Sequence, residues 1–278
     1  MTESYDAWIG REERASSTLD PWPPQALAAT LGLEPQDAAP RDALPPLWSW
    51  LYFLDTPPRD ALGRDGHAAL GGFMPPVPAE RRMFAGGRFR FLRPLRIGRP
   101  AEQVRRIDKI EAKTGGAGPM TFVTVAHDHI QDGELCVEER RDIVYLQSAP
   151  AQAAPPAPAP VPDAPLSLEV TPDAVMLARY SALTFNGHRI HYDLPYARDV
   201  EGYPERVVHG PLVATVLAEL ARLKGGFALS AFAFRARSPL FLGDTLHLRG
   251  DPDDSGGVAL KAYAASGRLI MTADAKLA

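Results

Sequence analysis

The 278-residue chain is 45% hydrophobic and 23% charged with a formal net charge of −4, ordinary values for a globular protein long enough for one large or two ordinary domains. No apolar run reaches membrane-spanning length, the amino terminus lacks the basic start and apolar core of a signal peptide, and no overall basic balance points to nucleic acid. The single cysteine, Cys136, has no internal disulfide partner and reads as a small buried residue in a reducing, cytoplasmic setting.

Two short helices are expected first, from Ser4 to Glu13 and from Pro23 to Leu33. Next, Leu44-Pro-Pro-Leu-Trp-Ser-Trp-Leu-Tyr-Phe-Leu54 is too dense in aromatics and leucines to face solvent, and Pro46 suits a helix start; it is predicted as the buried helix of the first half. Residues 55–78 read as a long Gly/Pro-rich loop. From Met83 the period becomes two, and Arg88–Phe91, Ile107–Lys113, Met120–Ile130 and Glu134–Leu146 are predicted antiparallel strands. Between Arg81 and Lys109 stand ten basic and two acidic residues, Arg82 and Arg88 among them. This is either a patch for the phosphates of a coenzyme A or carrier arm or the solvated face of strands. His127 and His129 share a strand face and read as surface residues.

The Pro/Ala-rich stretch at 147–165 offers almost nothing to a core and reads as a linker between a first domain, 1–146, and a second, 166–278. In the second, Thr171 is a candidate N-cap and Pro172 the first position of a helix to about Ala182. A polar loop follows, Thr184-Phe-Asn-Gly-His-Arg-Ile-His-Tyr-Asp193, then Val208-His-Gly-Pro211 and the most apolar helix in the chain, begun by Pro211 and stopped by Gly225-Gly226. Thr215, Glu219 and Arg222 form its one polar stripe, so it should be buried on most sides. Strands return at 229–237, 245–249, 258–264 and 268–277. Phe89–Gly98 aligns on Phe234–Gly243 without gaps, matching Phe, Arg, Pro, Leu and Gly, which suggests two copies of one scaffold. Only the second copy carries the Asn…His…His cluster.

Three of the seven histidines, His188, His191 and His209, fall in this polar stretch, and a neutral imidazole is well suited to moving protons near pH 7. The N–H groups of Gly210 and Leu212, at the positive end of the helix dipole, suit a developing negative oxygen. His188-x-x-His191 with His209 could also supply three metal-ligand nitrogens, but no further ligand stands at a usual spacing, and no metal is expected.

The chain resembles the MaoC-like double hot-dog acyl-CoA hydratases and dehydratases, within them the mesaconyl-C4-CoA (3-methylfumaryl-CoA) hydratase group. The resemblance spans nearly the full length. It rests on Trp8-Ile-Gly-Arg11, Leu44-Pro-Pro-Leu-Trp48, Gly71-Gly-Phe-Met-Pro-Pro-Val-Pro78, Arg81-Arg-Met83, Asp142-Ile-Val-Tyr145, the 184–193 loop, Glu201-Gly-Tyr-Pro204 and Val208-His-Gly-Pro-Leu212. It implies an α+β double hot-dog, two long buried helices each wrapped by an antiparallel sheet, and a hydro-lyase adding water reversibly to an enoyl-CoA thioester. Coenzyme A would enter only as part of the substrate, with no other cofactor, no membrane or nucleic-acid partner, and a homodimer as a possible assembly.

His191 fits the family's histidine. The family's aspartate, five residues earlier, is replaced by Asn186, an amide that orients water but accepts no proton. The expected catalytic set is therefore His191, Asn186 and Gly210, with Arg189, His188, His209, Leu212, Tyr192, Arg82 and Arg88 around the substrate. Alternatives are a (3R)-hydroxyacyl-thioester dehydratase of fatty-acid metabolism, a hot-dog thioesterase and a non-catalytic acyl-CoA-binding protein.

Overall fold

The computed structural model describes residues 5–33, 42–79, 81–115, 118–146, 157–224, 226 and 228–278. Its strands are β1 (Glu12–Thr18), β2 (Arg81–Phe91), β3 (Pro100–Gly115), β4 (Gly118–Gln131), β5 (Glu134–Leu146), β6 (Leu166–Val170), β7 (Leu229–Ala236), β8 (Leu246–Pro252), β9 (Gly257–Ala264) and β10 (Leu269–Leu277). They form one antiparallel sheet in the order β1-β3-β4-β5-β2-β7-β10-β9-β8-β6. Read outwards from the β2–β7 seam, the order repeats itself, five strands to a side, as the double hot-dog reading requires.

The repeat in the sequence begins on that seam, with Phe89-Arg90 on β2 and Phe234-Arg235 on β7. Phe89 of β2 pairs with Phe232 of β7, and Gly87 with Phe234. A Cβ on Gly86 would lie 2.5 Å from the Phe234 carbonyl oxygen, and one on Gly87 2.8 Å from the Phe234 ring. Side chains there would hold the halves apart, so the two glycines let one sheet run across both.

The second half is wrapped around α3 (Gly210–Glu219), which continues as a π-helical turn, Leu220–Lys224. Every residue from Leu212 to Glu219 is buried. The expected polar stripe is satisfied internally. Thr215 Oγ1 donates to the Pro211 carbonyl at 2.9 Å, while Glu219 accepts from Trp48 Nε1 at 3.0 Å and from Arg222 at 2.6 Å. Two further helices are α1 (Trp22–Leu31) and α2 (Ala174–Leu183). The N-cap of α2 is Asp173, not Thr171; its carboxylate accepts the Met176 N–H at 2.7 Å, completing the first turn from the usual capping position.

Three further sequence expectations are corrected. The helix expected over Ser4–Glu13 is a short 3₁₀ turn, Asp6–Trp8, followed by β1; Gly10 at φ +84° turns the chain, and β1 pairs along the edge of β3. Its sequence, polar but for Ala15, suits an exposed edge. The helix expected over Leu44–Leu54 is only a 3₁₀ turn, Trp48–Leu51, flanked by Leu47 and Phe53 at positive φ. Tertiary anchoring overrides helical propensity here, because Trp48 donates to Glu219 and Trp50 Nε1 donates to Glu139 at 2.7 Å, holding both indoles in the core. His127 and His129 are not surface residues; both are buried, and His129 Nε2 lies 3.2 Å from the Glu139 carboxylate.

The linker expected at 147–165 is described only from residue 157. There Ala159 N–H donates to the Ser266 carbonyl and the Pro162 carbonyl accepts from Arg249, so this part lies along the second half. None of the described helices is long and apolar enough to cross a membrane.

Candidate active site

The polar loop leaves α2 through a tight reversal. Phe185 takes φ +47°, Asn186 N–H donates to the Ser181 carbonyl at 2.8 Å, and Asn186 Oδ1 accepts the His188 N–H at 3.0 Å. Asn186 thus builds the turn with its oxygen, which leaves the Nδ2 donors for a water or substrate oxygen. A 3₁₀ turn, Arg189–His191, then carries His191 to face the segment before α3. Val207 N–H donates to the Ile190 carbonyl, and the Val207 carbonyl accepts from His191 Nδ1 at 2.7 Å. A carbonyl only accepts, so Nδ1 holds the proton and Nε2 keeps its lone pair.

Three imidazoles converge. The ring of His209, the N-cap of α3, stacks on His191 with centroids 3.6 Å apart, and its Nε2 is anchored by Ser181 Oγ at 2.8 Å. His188 meets His191 edge-on at 5.5 Å. Burial pushes His191 down to about 4; burial, then the neighbouring His191, pushes His188 down to about 3 and His209 well below the usual range. All three are therefore neutral at pH 7. His188 Nε2 and His209 Nδ1 are buried without a hydrogen-bond partner, a state that is costly unless a ligand supplies one.

The first half reaches into the site through a loop that sequence reasoning missed. Asp65 C=O accepts the Arg189 N–H at 2.9 Å, and the His67 ring lies 4.5 Å from that of His188. The backbones touch: a Cβ on Gly66, at φ +90°, would lie 2.0 Å from the Gly187 carbonyl oxygen. Asp65 is held by His67 Nδ1 at 3.3 Å and Arg82 Nε at 2.9 Å. The only hint in the sequence is that Arg64-Asp-Gly-His67 directly precedes the Gly71–Pro78 motif.

Ligand atoms of Asp65, His67 and His188 lie within 4.8 Å of one another, but Arg82 already neutralises Asp65 and would repel a cation. The three nitrogens considered from the sequence fit a metal no better. His191 and His209 are stacked, and one nitrogen of each is committed to Val207 or Ser181.

The remaining predicted residues divide. Gly210 and Leu212 open α3, where the helix itself cannot satisfy their N–H groups. Arg189 is a clamp, bonded to Asp193 at 2.7 and 3.0 Å and to the Arg64 carbonyl at 3.1 Å, and lying over the Tyr196 ring. Tyr192 is exposed and donates to the Gly187 carbonyl at 3.0 Å. Arg88 pairs with Asp142 on an exposed strand face. Its neighbours Arg90, Arg93, Arg96 and Arg99 pair likewise with Glu138, Glu134, Asp42 and Asp132. The basic cluster is thus largely neutralised along the sheet.

A profile of the family described as hydroxyacyl-thioester dehydratase type 2 matches residues 47–242. The chain is 50% identical over 238 residues to mesaconyl-C(4)-CoA hydratase of Chloroflexus aurantiacus, covering 84% of each. To mitochondrial hydroxyacyl-thioester dehydratase type 2 of Schizosaccharomyces pombe it is 30% identical over 233 residues, covering 74% of this chain and 77% of that one. Among solved structures, a MaoC-like dehydratase from Phytophthora capsici shares the fold, with a TM-score of 0.73 at 15% identity, covering 97% of this chain and 96% of the other.

Proposed function

Because this chain belongs to the hydroxyacyl-thioester dehydratase type 2 family and is an acyl-CoA hydratase/dehydratase, we propose that it hydrates mesaconyl-C4-CoA to citramalyl-CoA with His191 as the proton carrier. The observation that carries the site assignment is the fixed tautomer of His191, whose Nδ1 is spent on Val207 and whose Nε2 is left as a base. The substrate is taken from the relative with 50% identity.

In this reading the thioester oxygen accepts the Gly210 N–H at the start of α3. The Asn186 amide positions a water, and its oxygen bonds to the carbon distal to the thioester while His191 Nε2 takes the departing proton. The electron pair of the double bond moves onto the thioester oxygen, where the helix end stabilises it. His191 then returns its proton to the α-carbon as the enolate collapses, leaving the protein as it began. His209, locked by Ser181, keeps the His191 ring in plane. Coenzyme A, carried by the substrate, is the one non-protein group this scheme needs. The buried Cys136 fits a cytoplasmic setting.

A panel of thioesters tests the reaction. Loss of enoyl absorbance from mesaconyl-C4-CoA without release of free thiol is the expected result. Thiol release from saturated acyl-CoA would indicate a thioesterase, and preference for long-chain substrates the fatty-acyl dehydratase reading.

Since the base must be neutral and burial lowers its pKa to about 4, kcat/KM is expected to hold as pH falls through 6 and to drop only towards 4. An acid limb at the ordinary imidazole value, near 6.5, in a stopped-flow pH profile would contradict the buried-base assignment. Asn186→Asp is expected to move that limb upwards. The new carboxylate can keep the His188 N–H bond through one oxygen, while its charge favours protonated His191. An unmoved limb would mean that position 186 does not face His191.

A further inference from the structure

Between the halves lies a cavity of about 210 Å³ with no part in the proton chemistry above. Its polar wall is made by Arg64, Asp65, Arg81, Arg82, Tyr145 and Glu201, and Leu70 and the alanines beside it supply an apolar side. We infer that this cavity is a carboxylate subsite, in which Tyr145 and Arg82 bind the free carboxylate of a dicarboxylic acyl-CoA.

The strongest sign is the Tyr145 hydroxyl. Tyr145 is 1% exposed and packed among Val77, Ile107, Val123 and Val125; its hydroxyl makes no well-formed hydrogen bond, and its one polar neighbour, the Arg82 guanidinium, is a donor, so the hydroxyl has no acceptor. A buried phenol without an acceptor is destabilising, and a bound anion would supply the missing one. Arg82 is its cross-strand neighbour, Arg82 of β2 pairing directly with Tyr145 of β5, so both side chains leave the sheet on one face. Burial raises the Tyr145 pKa and the Arg82 charge opposes that rise, so the hydroxyl stays a donor at neutral pH.

Charge points the same way. Arg82 pairs with Asp65 at 2.9 Å and Arg81 with Glu201 at 3.3 Å, the latter pair nearly buried. Arg82 spends Nε and Nη2 on Asp65 and the Ala68 carbonyl, and a guanidinium with five donors can hold these and still present N–H groups to an entering carboxylate. Arg189, the other cation near the loop, is committed to Asp193 and the Arg64 carbonyl and is not needed.

Position fits as well. In mesaconyl-C4-CoA the free carboxylate is bonded to the carbon that takes the hydroxyl, so its subsite lies on that carbon's side of the site. Asp65 of the cavity wall touches His67, whose ring faces His188 beside His191, so a run of contacts joins the cavity to the proton-transfer site.

The inference rests on the reaction proposed above only for the placement of the thioester, so it is best tested by binding. Succinyl-CoA and butyryl-CoA are matched in chain length, differ at the distal carboxylate and have no double bond to hydrate. By calorimetry the parent is expected to bind succinyl-CoA at least about tenfold more tightly, as a charged hydrogen-bonded contact provides. Tyr145→Phe removes a buried hydroxyl that has no acceptor, so its thermal midpoint should fall little if at all, yet the preference for succinyl-CoA should shrink to about twofold or less. Arg82→Met should do the same; if loss of the Asp65 pair prevents its folding, Tyr145→Phe decides alone. A parent with no preference, or a folded Tyr145→Phe that keeps the parent's preference, would overturn the subsite. A preference that depends on Tyr145 in a protein that turns over no enoyl-CoA would keep the subsite and overturn the proposed reaction.

Discussion

His191→Ala is expected to lower kcat/KM for the enoyl thioester at least about a hundredfold, because it removes the single base of the scheme. Unlike a substitution at an exposed catalytic residue, it should also cost stability. The ring is buried, stacks on His209 and satisfies the Val207 carbonyl, and a buried carbonyl left without its donor costs on the order of 1–3 kcal/mol. His191→Asn separates the two effects. Its amide N–H can still reach Val207, while nothing replaces Nε2, so stability should largely return and activity should not. Parent-like turnover by either variant would remove His191 from the chemistry.

The largest effect on stability is expected far from that site. Glu139, fully buried, accepts hydrogen bonds from Trp50 Nε1, Arg141 and His129. Burial alone would raise its pKa, but the Arg141 charge and the His129 hydrogen bond outweigh it and hold the carboxyl well below the usual range. Removing one partner of such a buried set costs about 3–5 kcal/mol, since the cation left behind has no counter-charge. Glu139→Gln, which keeps the shape and loses the charge, should therefore shift the urea midpoint of unfolding strongly downwards. A depressed carboxylate pKa also means stability present at neutral pH and lost as pH falls through the folded-state value, a loss the Gln variant should not show. A Glu139→Gln midpoint equal to the parent's would mean that the carboxylate is not charged in the folded state.

Glu139 also shows what could be read from the sequence and what could not. Alternation placed most strands, and the apolar run after Pro211 placed α3, because both patterns are local. The two short outer strands were missed for different reasons: β1 is polar but for Ala15 and does not alternate, while β6, Leu-Ser-Leu-Glu-Val, alternates but is only five residues long and follows directly on the Pro/Ala-rich stretch. At Trp48–Leu51 local preference was overridden by indole bonds to Glu219 and Glu139, partners 171 and 89 residues away. The second-half histidines were legible because they cluster in the chain. Asp65 and His67 were not, since they meet His188 only when a first-half loop crosses the seam. The basic stretch was equivocal for the same reason: its counter-charges stand on β5 or in distant loops and become neighbours only through strand register.

The β2–β7 seam bears on how the chain is made. At ribosomal rates of about 5–20 residues per second, β2 waits many seconds for β7, which begins roughly 140 residues later in the sequence. Throughout that interval its outer edge, kept bare of side chains at Gly86 and Gly87, is an open template for any passing strand. The feature that welds the finished halves together thus leaves the newborn first half adhesive until β7 arrives.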